Sequence, residues 1–114
     1  MGQRFSVVSA YQIMWVWALF DLPVMTKTER KSATRFRKHL LDLGFEMVQF
    51  SVYTRFAANK RRAEALARQV GALVPSHGKV DILFFTDKQY SLIQSYRGES
   101  RKKMAKKPSQ LELF

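Results

Sequence analysis

The chain has 114 residues, 20 Lys and Arg against 9 Asp and Glu, a formal net charge of +11 and no cysteine. That length makes one domain with a real core but little room for an elaborate cleft. Lack of cysteine excludes a disulfide framework, a thiolate zinc cluster and a thiol nucleophile, while the excess of positive charge points to a polyanionic partner, nucleic acid first. A membrane partner is not expected, because the charge is spread over two predicted helices and a tail rather than set on one basic amphipathic helix.

Residues 1–12 are mixed and polar and read as a leader. Ile13-Met14-Trp15-Val16-Trp17-Ala18-Leu19-Phe20 is then an unbroken apolar run. It is too short to cross a bilayer and predicts a central strand. It also comes too late for a signal peptide, so the expected location is cytoplasmic. Asp21 falls where the strand leaves the sheet, and Pro23 stops the ladder. Thr26-Lys27-Thr28-Glu29 has the pattern of a capping box and opens a helix that runs to Leu43 and stops at Gly44. Residues 45–56 are β-branched and aromatic enough to be extended, with Gln49 marking either a kink or a tight hairpin. A second helix spans about Asn59–Val74 and ends at Pro75 and the Ser76-His77-Gly78 turn. Lys79–Thr86 is a further strand, a short last strand is expected near Leu92–Arg97, and residues 98–114 form a basic tail. The resulting domain, residues 13–97, is α+β: a ferredoxin-like βαββαβ order with an extra C-terminal strand.

Helical spacing puts Ala33, Phe36, Leu40 and Leu43 on one side of the first helix. Lys27, Lys31, Arg35 and Lys38 fall opposite, with Arg30 and Arg37 on the flank. The second helix buries Ala63, Leu66, Val70 and Leu73 and exposes Lys60, Arg61, Arg62 and Arg68. Solvated faces are the ordinary reading of such cations. Acids are scarce along both helices, however, so few of them can be neutralised locally. Phosphate is the counter-charge that explains the excess.

The strands carry a second expectation. Residues 13–20 and 82–85 are apolar at both alternating sets of positions, unlike a sheet with one solvated face. Sheet-to-sheet homodimerisation would cover the second face, and a two-fold axis near the end of the first strand would bring two copies of Asp21 together. Two such carboxylates could share Mg²⁺. The plainer roles for Asp21 are a cap or an ion pair with Arg30. His39, His77 and Ser51 lack partners at useful spacing and read as structural. Trp15 and Trp17 share a strand face and read as core or interface.

Phe20-Asp21-Leu22-Pro23-Val24, Thr26-Lys27, Glu29-Arg30-Lys31, Phe36-Arg37 and Gly44-Phe45-x-Met47-x-Gln49-x-Ser51-Val52-Tyr53 together closely resemble the CRISPR-associated Cas-two family, most of all the branch that accompanies type II effectors. The resemblance covers roughly residues 13–97. It implies a ferredoxin-like homodimer that bridges two dimers of the Cas-one integrase and holds a double-stranded DNA protospacer during spacer acquisition. It also implies a Mg²⁺-dependent endonuclease on RNA or DNA, with Mn²⁺ as an alternative ion, and carries the metal-binding and catalytic role onto Asp21. Many members place Tyr before this Asp, where this chain has Phe20, which offers no hydroxyl. The alternative function is a stand-alone metal-dependent endoribonuclease of toxin-like type. Leu111, Leu113 and Phe114 form an apolar end to the tail. Three roles are open to it: folding back on its own sheet, docking on the integrase, or, because Gln-Leu-Glu-Leu-Phe is similar to a sliding-clamp peptide, binding that clamp.

Overall fold

A computed structural model describes residues 12–98. The elements run β1 (Met14–Asp21), α1 (Lys27–Asp42), β2 (Glu46–Gln49), β3 (Val52–Ala57), α2 (Lys60–Ala72), β4 (Lys79–Thr86) and α3 (Asp87–Ser91). The four strands form one sheet in the order β2-β3-β1-β4, and every neighbouring pair is antiparallel. This is the ferredoxin-like arrangement expected from the chain order. The tail residues Leu111, Leu113 and Phe114, and almost all of the leader, lie outside the described residues.

Local chemistry explains most boundaries. At the start of α1, Thr26 Oγ1 accepts from Glu29 N at 3.1 Å and Glu29 Oε1 accepts from Thr26 N at 2.9 Å, closing the capping box. The helix ends through Gly44 at φ +90, a left-handed conformation that favours glycine. Phe45 N then donates to Leu40 O at 3.0 Å. Asn59 caps α2, its Oδ1 accepting from Arg62 N at 2.9 Å. Of the two roles open to Gln49, the hairpin is the one formed: β2 ends at Gln49, Phe50 and Ser51 make the turn, and a bulge lies between Met47 and Gln49.

One expected element is replaced. No strand forms over Leu92–Arg97; the chain leaves β4 directly into α3, and residues 93–98 are irregular. The cause is a second capping box. Thr86 Oγ1 accepts from Gln89 N at 3.1 Å and Gln89 Oε1 accepts from Thr86 N at 2.9 Å, with Asp87 favourably placed in the first turn.

Cross-strand partners point to the same side of a sheet, so the register divides the sheet into two faces. Val16, Ala18 and Phe20 of β1, with Tyr53 and Ala57 of β3, face the helices and pack on Phe36 and Leu40 of α1 and Ala63, Leu66 and Val70 of α2. Phe20 meets Phe36 edge-on, with ring centroids 5.1 Å apart. Fully burying a Val, Leu or Phe side chain stabilises by about 1.5–3 kcal/mol, which makes this the principal core. The opposite face carries Trp15, Trp17, Leu19, Val52, Phe56, Leu83 and Phe85. α3 folds over one end of it: Tyr90 stacks on Trp15 at 3.8 Å, and Trp15 Nε1 donates to Asp87 Oδ1 at 2.9 Å. Beyond α3 no other described residue covers this face, and Phe56 is 52% and Leu83 40% exposed.

Candidate metal and nucleic-acid sites

Asp21 is the last residue of β1 and is exposed. It lies opposite Lys79 in β4. Because Phe20 is buried toward the helices, alternation turns Asp21 to the open face of the sheet. The same register puts Asp81, the partner of Leu19, on that face and at that end. Chain order does not reveal this second carboxylate; only pairing of β1 with β4 does. Asp81 makes an ion pair with Lys79 at 3.5 Å, with both side chains largely exposed, so the pair holds it only loosely. The alternative partner for Asp21 is engaged elsewhere: Arg30 Nη1 donates to Val24 O and Met25 O, each at 3.2 Å.

Mg²⁺ is usually held by one or two carboxylates together with waters and substrate phosphates. Asp21 suits that minimal role, and Asp81 stands on the same face to support it. Among the described residues no group of three or more His, Cys, Asp or Glu could form a fuller cage. Further oxygen ligands would have to come from a phosphate or from a second copy of the chain.

The expected nucleic-acid residues lie on the other side of the molecule. Both helices cover the same face of the sheet, so their outward sides form one surface. Lys27, Arg30, Lys31, Arg35 and Lys38 of α1 and Lys60, Arg61 and Arg62 of α2 are exposed. Lys60, Arg61 and Arg62 form the first turn of α2. Arg37 differs: it is half-buried, and its guanidinium carbon lies 5.7 Å from the centre of the Phe50 ring. The helix cations are thus gathered on one surface, while Asp21 faces away from them. Arg55, whose position in a β-branched and aromatic strand gave no signal, belongs with the basic helix side. It is paired across the sheet with buried Val16, and its Nη1 donates to Leu43 O at 2.9 Å.

The described residues thus form a small α+β domain of ferredoxin-like fold, with a basic helical surface, a strand-end carboxylate and apolar residues exposed on the other sheet face. The family model described as CRISPR associated protein Cas2 matches residues 14–93, and the chain belongs to that family. It is 50% identical over 108 residues to a protein of Paracidovorax avenae, covering 95% of this chain and 100% of the relative. A Flavobacterium psychrophilum protein is 39% identical over 112 residues, covering 98% of this chain and 97% of the relative. One from Parvibaculum lavamentivorans is 48% identical over 101 residues, covering 89% of this chain and 100% of the relative. Each of the three bears the name CRISPR-associated endoribonuclease Cas2. Among the described residues no helix is long and apolar enough to cross a membrane.

Proposed function

We propose that the protein acts in the cytoplasm as a homodimer joined through its open sheet faces, bridging dimers of the Cas-one integrase and holding protospacer DNA during spacer acquisition. The observation that carries this reading is the division of the sheet. Its helix side presents a basic surface whose cations form no ion pair among the described residues, and its other side leaves Phe56 and Leu83 exposed. Apolar area of that kind favours association. Since Asp21 lies on the uncovered side, a two-fold axis near the end of β1 would set two copies of it against each other.

Asp21 would then hold Mg²⁺ or Mn²⁺ together with its symmetry mate. When bound, the ion supplies Lewis-acid charge to a phosphate and lowers the pKa of a coordinated water. Asp21 itself contributes oxygen ligands and no proton relay, since neither a His nor a hydroxyl from Phe20 stands beside it in sequence. A second reading, a stand-alone metal-dependent endoribonuclease, is favoured by the names of the relatives. Asp21→Ala separates the two. The bridging role predicts that spacer acquisition in cells continues with the variant. The stand-alone nuclease predicts that biological function disappears with cleavage.

A further inference from the structure

A groove of ≈ 580 Å³ opens beside α2, lined by Arg55 of β3 and by Arg62, Ala65, Arg68, Gln69 and Ala72 of the helix. Arg62, Ala65, Gln69 and Ala72 follow one another at helical spacing, so the two alanines leave the space and the longer polar side chains border it. Arg55 enters from the sheet. Its Nη1 bond to Leu43 O at 2.9 Å fixes the guanidinium, and the stem passes so near Gly44 that a Cβ there would lie 3.2 Å from Nε. A guanidinium has five N–H donors, so most of those on Arg55 remain after this bond.

Three guanidinium groups therefore line one groove with an amide and no acid. Among the described residues the ion pair formed is Lys79–Asp81, and none involves these arginines. Gathering like charges around a half-buried arginine is unfavourable unless a counter-anion joins them. The planar arginine fork matches phosphate oxygens in two-point contacts. No aromatic side chain lines the groove to stack a base.

We propose that this groove is a phosphate-binding cleft that grips a nucleic-acid backbone. It is a second anchoring point, on the helix side of the sheet and away from Asp21. Arg55 lies opposite Val16, which is five residues from Asp21 along β1, or about 16 Å at the usual rise per residue. The proposal rests on the nucleic-acid reading above and adds Arg55, Arg68 and Gln69 to it.

The test is a salt series of duplex titrations on the full chain, read by fluorescence anisotropy. Arg55→Gln with Arg68→Gln should weaken binding and lower the slope of log K against log salt by about two, one for each phosphate that is no longer neutralised. Because Arg55 also holds the end of α1, Arg68→Glu serves as the second variant. Its side chain is exposed, so the fold should survive while the slope falls by about one or more. A variant with Lys31, Arg35 and Lys38 all changed to Glu is measured alongside. If that variant lowers the slope and the groove variants do not, the cleft proposal is wrong and the nucleic-acid reading stands. If the parent binds neither duplex nor RNA, the reading itself fails, and inorganic pyrophosphate decides the groove. A rise in Tm that Arg68→Glu abolishes keeps a phosphate cleft fed by free phosphate compounds, and no rise overturns it.

Discussion

Asp21 is the residue on which the proposed chemistry depends, and its position at a strand end was legible. An apolar run that stops at an acid before Pro23 marks a strand end without any knowledge of the fold. What no reading of chain order could supply was the neighbourhood, because only the register of β1 with β4 sets Lys79 opposite Asp21 and Asp81 on the same face. The expected outcome for Asp21→Ala is loss of any Mg²⁺-dependent cleavage, assayed on labelled RNA and duplex with chelator controls, and an unchanged Tm. The unchanged Tm follows from its exposure and lack of an ion-pair partner among the described residues. Cleavage surviving in the variant would show that the carboxylate is not the metal anchor. Gly44 is the converse case, silent in chemistry and demanding in conformation. Gly44→Ala puts a Cβ on a backbone at φ +90 and 3.2 Å from Arg55 Nε, so chemical denaturation should report a loss of about 1–2 kcal/mol. A loss below a few tenths would mean that the helix end relaxes freely.

Among the elements, α1, α2, β1 and β4 were readable because their signals are local: capping residues, periodicity and a glycine stop. α3 was not. Its five residues are too few for helical periodicity to register, so the Thr86-Asp87-Lys88-Gln89 capping pattern stands without the periodic run that would mark a helix. Only the reciprocal Thr86–Gln89 bonds turn that segment into a helix, and its reward is the Tyr90–Trp15 stack, a contact between distant parts of the chain. Aromatic pairs of this kind add about 0.5–1.5 kcal/mol beyond area burial. Tyr90→Ala should therefore uncover the Trp15 indole, shifting the emission maximum to the red and raising quenching by acrylamide. Leu92→Ala, at the C-cap of α3 with a side chain already 68% exposed, should change neither. Identical spectra for Tyr90→Ala and the parent would mean that α3 does not rest on the sheet in solution.

At the scale of the molecule, the sequence already carried the problem of the second sheet face, since its strands are apolar on both sides. The structure answers one part of that problem within the chain: α3 covers Trp15 and approaches Trp17, whose ring lies 6.2 Å from Tyr90. It leaves another part open, with Phe56 in β3 and Leu83 in β4 exposed on either side of β1. If a second copy covers this area, charges placed there must oppose association while costing the folded protomer little, because neither side chain is buried within it. Phe56→Glu with Leu83→Glu should convert a dimer at micromolar concentration into a monomer by multi-angle light scattering, with far-UV circular dichroism unchanged. The helix-side variant Lys31→Glu with Arg35→Glu, carrying as many new acids on the opposite surface, should remain dimeric, which separates a local effect of the face from a general effect of charge. A parent that is itself monomeric at moderate salt would remove the shared Asp21 site together with the bridge. A double variant that stays dimeric would move the interface away from the open face and leave the exposure of Phe56 and Leu83 to another partner.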